Sequence, residues 1–247
     1  MNLHLLGTGA ALSSPDRTTT MLGFHDAGQT LVVDCGGDVV QRLLQAGLDL
    51  HSVTALIVTH EHPDHTAGFP LLIEKLWLAK RRSPLPVVGI SEAVGQVRRL
   101  WDAYETGSWK ALFPIEWRVV ERAEGVLMFE HETYRVTGTP VVHSVPTMGL
   151  RVEAKRSGRV CAYSCDTEPS DTVVRMARGA HLLVHEATGE GPGHASAKQA
   201  AEIAGQAGVD RLVLVHLPPE LPAEDLQGAR TLVPDTTPGQ DGMSVTV

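Results

Sequence analysis

The sequence has few residues of several kinds, and each shortage excludes a class of protein. Three cysteines among 247 residues are too few for a disulfide framework. The 21 lysines and arginines are outnumbered by 29 aspartates and glutamates, and the net charge of −8 argues against a surface built for general nucleic-acid binding. The N-terminal segment lacks a basic start and a long apolar run, which predicts neither a signal peptide nor a membrane span. A cytoplasmic, reducing location is therefore expected.

Aromatic residues are also scarce, at 4% of the chain, and six of them lie between Trp77 and Trp117. Hydrophobic residues, in contrast, make up 43%, which is ample for a core. No linker-like stretch divides the chain. We therefore expect a single domain over residues 1–247.

A dense group of metal-ligand side chains follows the apolar run at 53–58, which predicts a buried strand. His60 and His62 alternate, so they can share one face of extended chain. The proline after His62 disfavours helix at that histidine and favours it immediately afterwards, which places Asp64 and His65 on a first helical turn. Two ligand pairs that point in different directions indicate two metal ions. The alternative, a polar surface loop rich in histidine, is disfavoured because ligand loops are held at the ends of such strands.

The string His-Glu-His-Pro-Asp-His, from His60 to His65, resembles the signature of the metallo-β-lactamase superfamily, and later segments are similar to its ribonuclease Z-like branch. The resemblance covers most of the chain, from Leu3 to His216. It implies an α/β fold, the four-layer αββα sandwich of two central sheets with helices outside. The opening Gly-Thr-Gly also matches, although by itself it is equally compatible with an ordinary turn. The other matching segments are Asp-Cys-Gly at 34–36, His-Ser-Val-Pro at 143–146, His-Glu-Ala-Thr at 185–188 and Gly-His-Ala-Ser at 193–196.

The resemblance implies a dinuclear metal site whose ligands arrive from the ends of strands. Two divalent ions are expected, with Zn²⁺ as the first candidate and Mn²⁺ as the alternative. Asp34 is expected to support a ligand without binding metal itself. The implied ligands are His60, His62 and His143 for one ion, Asp64, His65 and His216 for the other, and Asp166 between the two.

The same resemblance implies three catalytic residues. Asp64 orients or deprotonates the attacking water, and Glu186 with His194 assists departure of the leaving oxygen. His185 faces the opposite side of its strand from Glu186 and is expected to be structural. The family usually has glycine before the bridging aspartate, where this chain has Cys165. Whether that thiol lines the site is left open by the sequence.

Hydrolysis of phosphodiester bonds is the implied reaction, on small diesters or short oligonucleotides. The alternatives are tRNA 3′-end processing, hydrolysis of carboxyl esters, lactones or thioesters, and metal binding without catalysis; the complete ligand set with His194 argues against the last. The expected partners are a phosphodiester substrate, such as RNA or a small nucleotide, and no membrane. Ribonuclease Z-like proteins are often homodimers, so a homodimer is also expected, with the aromatic-rich region as its surface.

Ribonuclease Z proteins that process tRNA typically carry a long arm between the His-Ser-Val-Pro element and the bridging aspartate. Here that interval, Ser144 to Cys165, is consumed by two predicted strands and a turn at 156–158. The sequence therefore predicts that tRNA processing is not the efficient reaction. The cations of this hairpin, which either contact phosphates of a smaller substrate or are ordinary charges on a solvated hairpin, are Arg151, Lys155, Arg156 and Arg159.

Three further assignments concern segments outside the matching motifs. The alternating pattern from Ile115 to Val160 predicts that this whole stretch belongs to a second sheet. Lys80, Arg81 and Arg82 end a predicted helix, where they are expected to be solvated or to form a substrate rim. The last 30 residues are rich in proline, glycine and acids, and they predict no regular element before an edge strand at Met243 to Val247.

Overall fold

Two seven-stranded β-sheets form the centre of the structure, a computed structural model that describes residues 1–12 and 14–247. In the first sheet the spatial order of strands is 14-1-2-3-4-5-6, with antiparallel pairing as far as strand 3 and parallel pairing beyond it. Its strands are β1 (Asn2–Gly7), β2 (Met21–Asp26), β3 (Gln29–Val33), β4 (Val53–Ile57), β5 (Leu85–Gly89), β6 (Ile115–Val119) and β14 (Ser244–Thr246).

The second sheet repeats this plan with the second half of the chain. Its order is 13-12-11-10-9-8-7, antiparallel from strand 7 to strand 10 and parallel from strand 10 to strand 13. The repeat is one of topology, since the two halves show no obvious identity in sequence. The strands are β7 (Val126–Glu130), β8 (Tyr134–Val141), β9 (Thr147–Ala154), β10 (Arg159–Tyr163), β11 (Leu182–Glu186), β12 (Arg211–Val215) and β13 (Asp235–Pro238).

Helices cover the outer face of each sheet: α1, α3 and α4 pack on the first, and α5, α6 and α7 on the second. Within the described residues, no helix is long and apolar enough to cross a membrane. The helices are α1 (Val39–Gln45), α2 (Pro63–Thr66), α3 (Phe69–Leu78), α4 (Ser91–Asp102), α5 (Asp171–Ala177), α6 (Ala197–Ala207) and α7 (Ala223–Leu232).

Side-chain alternation along the strands creates three apolar layers. In β3, Leu31 and Val33 pack between the two sheets, whereas Val32 packs against the helices. In β4, Ile57 faces the second sheet and Leu56 faces the helices. Because both faces of these strands are buried, their last three residues, 31–33 and 55–57, are all apolar. The predicted four-layer αββα architecture is confirmed.

The predicted boundary between the two sheets was wrong. β6 belongs to the first sheet and runs parallel to β5, so the second sheet begins only at β7. The alternating pattern over Ile115–Val119 reflects an edge position, where one face packs on the helices and the other is partly exposed. On the packed face, the Trp117 ring lies 5.5 Å from that of Phe69.

The C-terminal segment contains two elements that its composition did not predict, α7 and β13. The acids interpreted as loop residues begin α7, where Glu224 and Asp225 occupy the first turn. Carboxylates are favoured there because they offset the partial positive charge of a helix N-terminus. Asp225 also accepts hydrogen bonds from the backbone N–H groups of Ala197 and Lys198, at 2.7 and 3.0 Å. The expected edge strand is confirmed as β14, which pairs with β1.

Arg81 is neither solvated nor part of a substrate rim. Only 2% of its surface is exposed, and its guanidinium donates to the carbonyl oxygens of Val53, Ser83 and Pro84 at 2.8 to 2.9 Å. These carbonyls lie at the start of β4 and in the segment before β5. A buried cation is tolerated here because three of its N–H groups find acceptors.

Two cations of the β9–β10 hairpin, Arg151 and Arg159, bind backbone carbonyl groups. Arg151 donates to the carbonyl oxygens of Met176 and Arg178 at 3.0 and 2.9 Å, and so binds the C-terminal end of α5. Arg159 donates to the carbonyl oxygen of Val247 at 2.9 Å. The turn at 155–158 lies one strand length, roughly 25 Å, from the opposite end of β9.

Candidate metal centre

The loop after β4 delivers four ligand side chains to one place because a proline redirects its backbone. His62 is extended, with φ −61° and ψ 149°, and Pro63 begins the short helix α2 that carries Asp64 and His65. Gly36 packs against this helix, and a Cβ at that position would overlap the backbone carbonyl of Asp64. The conformation predicted from the proline is confirmed.

All seven residues expected to bind metal come together in two groups that share one carboxylate. Within each group the candidate ligand atoms lie within 4.8 Å of one another. The shared Asp166 places Oδ2 3.4 Å from His65 Nε2 and 3.2 Å from His216 Nε2. One group comprises His60, His62, His143 and Asp166, and the other comprises Asp64, His65, Asp166 and His216.

Unpaired buried atoms indicate that a cation belongs at this centre. Among the described residues, His60 Nε2, His65 Nε2 and Asp166 Oδ1 are buried without a hydrogen-bond partner. Leaving such a group unpaired costs about 1–3 kcal/mol each. Imidazole nitrogens and carboxylate oxygens are the ligands that Zn²⁺ and similar ions take in proteins. The residues present therefore fit a metal cofactor.

Asp34 supports two of the candidate ligands from behind. His65 Nδ1–H donates to Asp34 Oδ2 at 2.8 Å, which turns Nε2 towards the centre. Asp34 also accepts from the N–H and hydroxyl of Thr59, whose Oγ1 lies 3.1 Å from His60 Nδ1. Asp34 itself belongs to neither group of ligand atoms. Its φ of +61° is uncommon outside glycine, so the chain accepts backbone strain to place it.

His143 is fixed by a contact with the loop that precedes α6. Its Nδ1–H donates to the carbonyl oxygen of Gly193 at 2.7 Å, and its Nε2 lies 3.2 Å from His62 Nδ1. Burial lowers the pKa of His143, which favours the neutral imidazole that binds metal ions.

His216 is held at both its backbone and its ring. Its N–H donates to Thr20 Oγ1 at 3.0 Å, and the Thr20 hydroxyl donates to the carbonyl oxygen of Gly9. On the other side, Thr188 Oγ1 accepts from His216 Nδ1–H at 2.6 Å and donates to the carbonyl oxygen of His216. These contacts stabilise a φ of +51° at His216. The Gly-Thr-Gly turn therefore supports the site and is more than an ordinary turn.

Glu186 is fully buried and acts as an acceptor for the segments around it. Its carboxylate accepts from the backbone N–H groups of Thr167, Thr188 and Ala195 at 2.8 to 3.2 Å. It also accepts from His194 Nδ1–H at 3.0 Å, and this hydrogen bond raises the pKa of His194. The two residues expected to form a catalytic pair are in direct contact.

The His194 ring lies against both groups of candidate ligands. Its centroid is 5.1 Å from that of His143 and 5.6 Å from that of His216. His185 is buried on the opposite side of β11, donates to the carbonyl oxygen of Glu186 at 2.8 Å and belongs to none of the metal-ligand groups. This position is consistent with the structural role expected of it.

Cys165 lines the site, which answers the question that the sequence left open. Its Sγ lies 3.6 Å from His60 Nδ1, and the residue is completely buried. Burial raises the pKa of the thiol well above its usual value, so it stays protonated. Its φ of +54° explains why glycine is usual at this position in the family.

The charge states of His60 and of the two carboxylates suit metal binding. Burial lowers the pKa of His60 well below its usual range, helped by the neighbouring His65. Burial alone raises the pKa of Asp166, but the imidazoles of His216 and His65 hold it well below its usual value. Burial and the His216 hydrogen bond oppose each other in the same way at Asp64, whose pKa is lowered. The carboxylates are therefore ionised. His65 differs: burial lowers its pKa, but the carboxylates of Asp166 and Asp34 raise it well above its usual value, so a bound ion would have to displace a proton there.

Sequence reasoning missed several residues that support the site. Thr188 lies within the His-Glu-Ala-Thr element, so the motif already contained its signal. Thr59 directly precedes His60, but a hydroxyl there has no distinctive pattern. For Thr20 and Glu168 no local signal exists, because their partners come from distant parts of the chain.

The family is decided by comparison with known proteins. A family model described as a beta-lactamase superfamily domain matches residues 29–217. The ribonuclease Z of Methanopyrus kandleri is 30% identical, in an alignment that covers 99% of this chain and 97% of that protein. The chain belongs to the ribonuclease Z-like branch of the beta-lactamase superfamily. Another relative of this branch, the ribonuclease Z of Methanothermobacter thermautotrophicus, is 28% identical over 304 aligned positions that cover 100% of this chain and 97% of that protein. Since this chain has 247 residues, that relative contains segments without a counterpart here.

Solved structures resemble this ribonuclease Z-like protein over its full length. YhfI of Bacillus subtilis, a metallo-beta-lactamase fold protein, has a TM-score of 0.83 and 21% identity, with 99% of this chain and 98% of that chain covered. The short form of human tRNase Z has a TM-score of 0.78 and 25% identity, with 100% and 99% covered. The likeness confirms the predicted metallo-β-lactamase fold.

Proposed function

We propose that this protein is a metal-dependent phosphodiesterase that cleaves small phosphodiesters or short oligonucleotides. The observation that carries the proposal is the position of His194, which lies against both ligand groups while Glu186 holds its Nδ1 at 3.0 Å. Cleavage of a P–O bond to an alcohol needs a proton donor beside the leaving oxygen. A protein that only binds metal does not need one.

The ligand groups would hold two divalent ions, with Zn²⁺ as the expected metal and Mn²⁺ as the alternative. When bound, such ions act as Lewis acids that lower the pKa of water and offset the negative charge that develops at phosphorus. Asp166 would join the two halves of the centre because it belongs to both groups. The other ligands in the proposal are His60, His62 and His143 on one side and Asp64, His65 and His216 on the other.

Two further roles follow from the contacts of this chain. Asp64 is ionised and lies at the centre, so we assign it the orientation or deprotonation of the attacking water. His194 presents Nε2 while Glu186 fixes Nδ1, so we assign it proton donation to the leaving oxygen, with Glu186 holding the ring.

The preference for small substrates rests on the surroundings of the site. A cavity of about 340 Å³ adjoins His194 and is lined by Glu168, Pro169 and Gln199, among others. Its volume is at the lower end of the range for small-molecule sites. The β9–β10 hairpin has no room for a projecting arm, and the net charge of −8 offers little long-range attraction for a polyanion.

A direct test combines metal analysis with a substrate screen. We expect two ions per chain, and hydrolysis of bis-p-nitrophenyl phosphate and of dinucleotides that is abolished by a chelator and restored by Zn²⁺ or Mn²⁺. Simple carboxyl esters, lactones and thioesters serve as the matched substrates of the rival enzyme class. Faster turnover of these compounds than of any diester would refute the proposal, and inertness towards all of them would favour a binding protein.

We also propose a homodimer that uses the aromatic-rich region. Trp77 and Trp109 stack with centroids 4.7 Å apart, and Trp101 meets Trp109 edge-on. Beside them Tyr104 is 60% exposed and Leu71 38% exposed, which leaves apolar surface in solvent. Sedimentation equilibrium should show a dimer, and Tyr104→Ser combined with Leu71→Ser should weaken it. A monomer at high micromolar concentration would contradict this assignment.

A further inference from the structure

The loop between β11 and α6, residues 187–196, carries His194 and includes three glycines. Glycine-rich segments lose much conformational entropy when they become ordered, so the loop needs contacts that hold it. On one side Glu186 accepts from His194 Nδ1–H and from the N–H of Ala195. On the other side a second carboxylate, Glu168, accepts a hydrogen bond from the Gly193 N–H, and the proposed reaction assigns no role to this contact.

Glu168 reaches His143 through a single residue. Its Oε1 accepts from the N–H of Gly193 at 2.8 Å, and the carbonyl oxygen of Gly193 accepts from His143 Nδ1–H at 2.7 Å. Gly193 has φ +80°, and a Cβ there would lie 2.8 Å from His143 Nδ1. Only glycine fits between the two side chains. Since Gly193 directly precedes His194, a displacement of this residue would move both histidines.

The backbone of Glu168 is itself fixed beside His143. Its N–H donates to the carbonyl oxygen of Val142 at 2.8 Å, and its carbonyl oxygen accepts from the Thr167 hydroxyl at 2.7 Å. The N–H of Val142 donates in turn to Thr167 Oγ1 at 3.2 Å. The segment after Asp166 is thereby joined to the residue before His143, which gives the Glu168 carboxylate a rigid base.

We propose that Glu168 is a positioning residue, which sets His143 and His194 in their places by holding Gly193. The part of this inference that concerns rates rests on the proposed function, because it uses the proton-donor role of His194. The part that concerns the loop does not. A glutamine at this position keeps an oxygen that can accept from the Gly193 N–H, whereas an alanine removes the acceptor and leaves that N–H unpaired.

Rates measured at saturating metal test the effect on His194. Glu168→Ala should lower kcat about 10- to 100-fold for a dinucleotide, whose alkoxide leaving group needs a proton, with little change in KM. The loss for bis-p-nitrophenyl phosphate should be much smaller. Glu168→Gln should recover most of the rate. Asp171→Ala, which removes an exposed carboxylate three residues further along, controls for the lost charge and should leave both rates unchanged.

Amide hydrogen exchange in the metal-free protein tests the loop without any activity. In Glu168→Ala the Gly193 N–H should exchange at least about tenfold faster than in the wild type, and in Glu168→Gln it should stay protected. Unchanged protection in the alanine variant would overturn the proposal. Equal rate losses of this variant on the two substrates would also overturn it, provided that His194→Ala itself affects the two substrates differently. If His194→Ala shows no dependence on the leaving group, the proposed function of His194 fails, and the exchange measurement alone decides whether Glu168 holds the loop.

Discussion

Asp166 is the residue on which both groups of candidate ligands depend. We expect Asp166→Ala to lower the metal content and to reduce hydrolysis by more than about 100-fold, because each group loses its shared carboxylate. Elemental analysis of the purified variant and of fully loaded wild-type protein measures this. At most one ion in the loaded wild type would contradict the two-ion proposal, whatever the variant shows.

His194 makes its contribution on the side of the leaving group. His194→Ala should keep both ions, since it is not among the proposed ligands, and should lower the rate about 10²- to 10⁴-fold for a dinucleotide. A p-nitrophenolate leaving group departs without a proton, so bis-p-nitrophenyl phosphate should lose much less activity. Equal losses on both substrates would show that His194 is not a proton donor.

Cys165 permits a test of backbone strain inside the site. Glycine is normally less stable than alanine at a buried position, by about 0.5–1 kcal/mol in regular structure. At Cys165 we expect the opposite order, because the φ of +54° costs a residue with a Cβ about 1–2 kcal/mol. Urea denaturation of metal-free Cys165→Gly and Cys165→Ala measures the difference. A clearly more stable alanine variant would show that this conformation carries no strain.

The four candidate ligands of the His60–His65 string could be predicted from the sequence because metal binding concentrates such side chains at short spacing after a strand. The other three, His143, Asp166 and His216, were implied only by the resemblance to the family. The residues that orient them could not be predicted. The hydrogen bond from His216 to Thr20 joins positions 196 apart in sequence, and threonine is too common a residue to mark such a role. The contact from Glu168 to Gly193 likewise exists only after the two loops have met.

The turn at the end of β1 packs closely against the segment that contains Thr19, and this contact requires glycine at position 7. A Cβ on Gly7 would overlap the carbonyl oxygen of Thr19, so Gly7→Ala must displace the segment that places Thr20 beside His216. We expect it to lower the free energy of unfolding by about 1–3 kcal/mol. Gly205→Ala in α6 is the matched control: its Cβ meets no atom within 4 Å, and helix propensity should stabilise the protein by about 0.5–1 kcal/mol. Chemical denaturation of the two variants should therefore show changes of opposite sign in the free energy of unfolding.

Helices and strands could be predicted where the apolar periodicity agreed with the residues that mark the start and end of an element. Asp38 caps α1 by accepting from the Gln41 N–H, and Gly47 follows the helix with φ +71°. α7 was missed because its apolar face is short and its acids resemble those of a loop. β6 was assigned to the wrong sheet because a strand pattern indicates which face is buried but does not name the neighbouring strand.

At the scale of the whole molecule, the absence of a projecting arm predicts substrate preference. The interval from Ser144 to Cys165 is occupied by β9, β10 and a short turn at the end of the hairpin away from the site. We expect comparable or better turnover on dinucleotides and short oligonucleotides than on a tRNA precursor. Steady-state rates at physiological salt measure this. Accurate cleavage of a tRNA precursor just after its discriminator base, at submicromolar substrate, would overturn the expectation.

The pairing of β14 with β1 has a consequence for how the protein is made. Thr8 hydrogen-bonds Asp241, which the ribosome adds 233 residues later, and β1 receives its outer partner β14 later still. At a synthesis rate of about 5–20 residues per second, roughly 10 to 50 s pass between the addition of Thr8 and the addition of Asp241. During this time the edge of β1 that later pairs with β14 is exposed. The turn that supports His216 also lacks the hydrogen bond from Thr8 to Asp241. The first sheet, although it emerges first, is therefore the last to be completed.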